Sequence, residues 1–119
     1  MIIIDRNERF FGGDDGEKIT VVVKSQNTVH GVTFNLDGKS GVMPSTGPQS
    51  SSMTFTLKKA VKDPSSMLLM FHFANTGGSG IYIVVITGSK AGGQPFGEVV
   101  RQLGVSDKVA SAGYTFDVI

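Results

Sequence analysis

The chain has no cysteine, no tryptophan, four prolines and two histidines, and charged residues fill only 18% of its 119 positions, against ~25% in an average globular domain. Without cysteine there is no disulfide framework, no thiolate metal centre and no cysteine nucleophile. Without tryptophan the usual stacking platform for sugars is missing. Eleven basic and ten acidic residues leave a formal charge of +1, so bulk attraction to nucleic acid is excluded as a driving force. No apolar run approaches the ~18 residues of a membrane span; the longest, Ile81–Ile86 and Met67–Phe73, have strand length. The amino terminus lacks the basic and long apolar regions of a secretory signal. With Met1 as the native start the default compartment is cytoplasmic, and the sequence otherwise leaves it open.

What the chain does have is glycine, sixteen residues of it, and period-two alternation. At 119 residues, one domain spanning 1–119 is expected. Six segments alternate with β-branched or aromatic side chains on one phase: Ile19–Lys24, His30–Leu36, Met53–Lys59, Met67–Asn75, Ile81–Thr87 and Tyr114–Ile119. A seventh, Ile2–Ile4, is short. Glycine and polar residues punctuate them, at Asp37-Gly38 and across Asn75–Gly80, where a hairpin between the two most apolar strands is expected. Gly41–Ser52, with Pro44, Pro48 and three consecutive serines, reads as a long connection crossing between sheets. One segment has helical spacing instead. Pro95–Leu103 places Phe96, Val99, Val100 and Leu103 at i, i+3, i+4 and i+7, with Pro95 at the start and Gly104 after the end. The sum is an all-β, antiparallel β-sandwich, Greek-key or jelly-roll-like, of six to eight strands with one short helix near 95–103.

Two neighbouring strands are apolar on both phases, which a half-solvated sheet does not require. Taking Met67, Leu69, Phe71 and Phe73 with Ile81, Ile83 and Val85 as inward leaves Leu68, Met70 and His72 with Tyr82, Val84 and Ile86 to be covered. Three covers fit: the 95–103 helix, a second subunit or other protein, or a ligand held by Tyr82 and His72. The expected function is therefore a non-catalytic binding or interaction module, self-associating through this face or acting through the glycine-rich end loops Asn75–Gly80 and Gly88–Gln94. The alternatives are a metal-dependent module using the Asp14/Asp15/Glu17 loop, a carbohydrate-binding module for small polar ligands such as sugars, or a small enzyme using His72.

Other chemistry is sparse. Asp14, Asp15 and Glu17 form an acidic turn with hard oxygens suited to calcium, without the alternating pattern of a calcium loop. Ser89, Lys90, Gly92 and Gly93 precede the expected helix, whose N-terminus favours an anion, but the phosphate-loop spacing is not met. No other cofactor is indicated. His30 and His72 fall on mainly apolar strand faces, where a hydrogen-bonded core role is the ordinary one; a small enzyme using His72 is the catalytic alternative. No G-x-S-x-G elbow and no acid–base carboxylate pair is present. Lys58, Lys59 and Lys62 cluster at a strand end without exposed aromatics beside them, a pattern that blunts a sheet edge against aggregation.

Overall fold

The computed structural model describes residues 2–13, 15–26, 30–59, 66–73, 80–88, 98–105 and 109–118. They form ten strands: β1 (Ile2–Gly13), β2 (Lys18–Gln26), β3 (Val32–Leu36), β4 (Lys39–Val42), β5 (Ser45–Gly47), β6 (Ser50–Thr56), β7 (Ser66–Phe73), β8 (Gly80–Gly88), β9 (Glu98–Val105) and β10 (Val109–Val118). One sheet runs β1-β10-β7-β3-β4 and the other β5-β6-β2-β8-β9. We call them sheets A and B. Pairing is antiparallel except at one edge, where β1 runs parallel to β10. Only β3–β4, β5–β6 and β8–β9 join neighbours within a sheet; every other connection changes sheet. The architecture is the expected β-sandwich, with ten strands among the described residues rather than the six to eight expected.

The core is built from the inward phase of each strand. Ile19, Val21 and Val23 of β2, Leu69, Phe71 and Phe73 of β7, and Tyr114 and Phe116 of β10 are buried. Rings bridge the layers, Phe73 against Tyr82 at 4.6 Å between centroids and Phe55 against Phe116 at 5.5 Å. Offset and edge contacts of this kind suit the ring quadrupole and add to the area that each aromatic side chain buries. At one sandwich edge Met43 is buried, with its N–H on the Val32 carbonyl at 3.1 Å, while the Pro44 carbonyl accepts from Ser52 N–H. The chain crosses there from β4 to β5, but Gly41–Ser52 is not the long connection expected: it holds the end of β4, all of β5 and the start of β6. At the opposite edge Arg101 of β9 bonds Glu8 of β1 at 2.7 Å and joins the sheets. Hydrogen bonding to Glu8 holds the Arg101 guanidinium above its ordinary pKa.

Three further expectations are corrected. The segment expected to be helical near 95–103 is strand β9 from Glu98 onward; 95–97 lie outside the described residues. β8 is apolar on both faces and pairs with β2 along only one edge. Its other edge is satisfied by β9 from Gly80↔Val105 to Thr87↔Glu98, and that inter-strand ladder outweighs a stripe whose backbone a helix would also have satisfied. Second, β7 and β8 do not form a hairpin; they lie in different sheets. Third, the inward phase of β8 is Tyr82, Val84 and Ile86, all fully buried, while Ile81, Ile83 and Val85 face out.

The Asp37-Gly38 break is a two-residue hairpin turn with both φ values positive, 48° and 90°, which matches the twist of the strands it joins. Its second strand, β4, was hidden in a Lys-Ser-Gly-Val run with little strand propensity. Gly41 sits opposite Phe34, where a Cβ would lie 2.8 Å from Phe34 Cζ. Only glycine leaves room for that ring.

Candidate functional site

The outer face of sheet B carries an apolar stripe. The register sets Val22 of β2 beside Val85 of β8 and Val85 beside Val100 of β9. Ile83 and Ile81 extend it along β8. These β8 side chains and Val22 are half-buried, and Val100 is 52% exposed. Neutral polar groups surround it: Ser52, Thr20, whose Oγ1 lies 3.2 Å from that of Thr54, Thr87 and Gln102. Charged residues stand at its margin: Lys24 is next to Ile83 in the register, and Glu98 is the register partner of Thr87.

The outer face of sheet A differs. Leu68 is 41% exposed, with Met70 and His72 half-buried beside it on β7. Asn35 and Thr33 of β3 stand next to Met70 and His72, and Thr115 of β10 next to Leu68. Polar residues interrupt the apolar ones in each row. The six residues expected to form one surface therefore fall in two places: Leu68, Met70 and His72 outside sheet A, and Tyr82, Val84 and Ile86 in the core.

The Tyr82 hydroxyl is anchored by the backbone. It accepts from Gly31 N–H at 3.0 Å and lies 3.3 Å from the Gly31 carbonyl; burial raises its pKa, partly offset by the Gly31 contact. Next to it is a polar chain drawn from β2, β6 and the approach to β3. Ser25 Oγ donates to Gln49 Oε1 at 2.6 Å. Its one hydrogen is thereby used, so at 2.7 Å it accepts from His30 Nδ1–H. With the ring neutral, its Nε2 accepts from Ser51 Oγ at 2.6 Å. Burial lowers the His30 pKa in keeping with this state. A serine hydroxyl donating to an oriented imidazole has the order of a nucleophile–base pair, but Ser51 is buried and its orienting partner is another serine. The arrangement satisfies a polar end of the core.

The acidic turn is only partly within the described residues. Asp14 lies outside them. Asp15 Oδ1 accepts from Lys59 N–H at 2.9 Å, and Glu17 is buried, its carbonyl accepting from Leu57 N–H. Among the described residues no three His, Asp or Glu side chains come together as a metal site. Ser89, Lys90, Gly92 and Gly93 also lie outside the described residues, and the helix whose N-terminus they were to precede is a strand from Glu98.

Two features were missed from sequence. The helical spacing of 95–103 and the two apolar phases of β8 hide the sheet B stripe in the sequence. A lysine-bordered cleft at the end of the sandwich opposite His30 combines residues 36–39 with 54–59 and 66–67, and nothing local signals that meeting. Compared with known proteins, the chain matches no family model, no curated protein and no solved structure.

Proposed function

We propose that the protein is a non-catalytic interaction module that self-associates through the outer face of sheet B. The supporting observation is the stripe Val22, Val85, Val100, Ile83 and Ile81, apolar at its centre with a margin mostly of neutral polar residues. Such a patch suits a second copy of itself. A two-fold contact sets the same surface on both partners, and with few charges on the patch little like-charge repulsion arises when it meets its copy. Four strands of seven to nine residues, ~4.8 Å apart and rising ~3.3 Å per residue, with the three-residue β5 at one edge, make a face of about 20 by 26 Å. With side-chain relief this is of the order of the ~800 Å² that each partner contributes to a standard interface.

The test is solution mass by light scattering over about a hundredfold range of concentration, for the wild type and for Val85→Lys. A wild-type dimer that Val85→Lys turns into a monomer with unchanged circular dichroism supports self-association. A wild type that stays monomeric throughout overturns it, as does a dimer that Val85→Lys leaves intact.

A further inference from the structure

At the end of the sandwich that holds the Asp37-Gly38 turn, the two sheets part to leave a cleft of about 590 Å³, within the ~300–1,000 Å³ range of small-molecule sites. Its apolar surface comes from both layers, Leu36 and Met67 from sheet A and Phe55 from sheet B, all three packed in or against the core. Phe55 is held edge-on by Phe116, and Met67 Sδ is fixed by Lys58 N–H at 3.3 Å. Around this floor stand Lys39, Lys58 and Lys59, all exposed. Among the described residues none of the three ammonium groups has an ion-pair partner. The one carboxylate in the lining, Asp37, uses Oδ1 to accept Leu68 N–H at 2.9 Å. Asp15, next to the cleft, is committed to the Lys59 backbone rather than to an ammonium. Among the described residues, three lysines against one aspartate leave the lining at +2.

We propose that this cleft binds a small amphipathic anion, a carboxylate whose aliphatic or aromatic body lies on Leu36, Phe55 and Met67 while its head is held by Lys39, Lys58 and Lys59. A neutral apolar ligand would leave the ammoniums unused, and a small inorganic anion would leave the floor unused. The combination selects both halves of an amphiphile, with charge setting the sign and apolar burial setting the strength. The apolar floor and the lysines lie off the sheet B stripe, whose polar margin meets the cleft at Thr54, and binding does not require self-association.

Isothermal titration with decanoate tests it, with hexanoate, inorganic phosphate and decyltrimethylammonium as comparisons. Each fully buried methylene is worth about fourfold in affinity, so decanoate should bind at least about tenfold more tightly than hexanoate. Phosphate and the cationic amphiphile should bind at least about tenfold more weakly than decanoate. The double variant Lys58→Glu, Lys59→Glu should lose decanoate binding by about tenfold or more with its melting temperature little changed, because both side chains are exposed. Equal affinity for the cationic and anionic amphiphiles, or wild-type affinity in the double variant, overturns the proposal. So does the absence of decanoate binding. If Val85→Lys abolished binding while the lysine variant kept it, the ligand would belong to the sheet B face.

Discussion

The two ends of the sandwich treat their polar groups in opposite ways. At one end Ser25, His30, Gln49 and Ser51 use one another's donors and acceptors in a single chain, and the Tyr82 hydroxyl is closed onto the Gly31 backbone. At the other, three lysines border an apolar cleft without partners among the described residues. Both ends join the same two layers, so layer packing does not explain the difference. A polar group withdrawn from water must be satisfied inside the protein, whereas an exposed ammonium is satisfied by water and stays available. The closed end contributes to stability, and the open end is where a ligand can add contacts that the fold does not already make.

The sharpest way to break this contrast is Tyr82→Ala, which removes a buried ring packed on Phe73 and the partner of Gly31. A loss of ~3–5 kcal/mol is expected from denaturant unfolding; a loss below ~1 kcal/mol would mean that this end is not closed as described. Ser51→Ala should cost less, ~1–3 kcal/mol, by leaving His30 Nε2 without its donor. Lys58→Gln at the open end should stay within ~0.5 kcal/mol. Equal costs for these two would remove the distinction between the ends.

The smallest effect is in pH. Burial lowers the His30 pKa from its ordinary 6.5, so the unfolded chain takes up the proton first. The stability tied to neutral His30 is therefore complete above pH 6.5 and is lost as pH falls below it, through the lowered folded-state value. One group contributes at most ~1.4 kcal/mol per pH unit. Melting temperatures measured from pH 8 to pH 5 should fall more steeply for the wild type than for His30→Gln, and parallel curves would show that His30 is not buried neutral. Protonation makes Nε2 a donor and forces the Ser51 hydroxyl hydrogen to leave it.

The outer faces differ as the ends do. Sheet A interleaves Asn35, Thr33 and Thr115 with Met70, His72 and Leu68, and each polar neighbour keeps the apolar residues from joining. Sheet B runs Val22, Val85 and Val100 side by side. A binding surface was expected from the doubly apolar strands, but β8 offers two apolar phases and alternation alone does not say which faces in. Tyr82 decides it, because its hydroxyl needs a partner when buried and finds one at Gly31, 51 positions away in the chain.

The amino-acid sequence by itself determined the all-β class, most of the strand positions, the inward phases of β2, β6, β7 and β10, and the turn at Asp37-Gly38. Each rests on side-chain alternation or glycine chemistry within a few neighbouring residues. Tertiary structure alone decided that 98–105 is a strand, that β7 and β8 belong to different sheets, and which face of β8 is the core. It also brought Ser25, His30 and Ser51 together at one end and Lys39, Lys58 and Lys59 at the other. Strand pairing satisfies backbone groups between segments far apart in the chain, and a local pattern compatible with two partners carries no information about which one it meets.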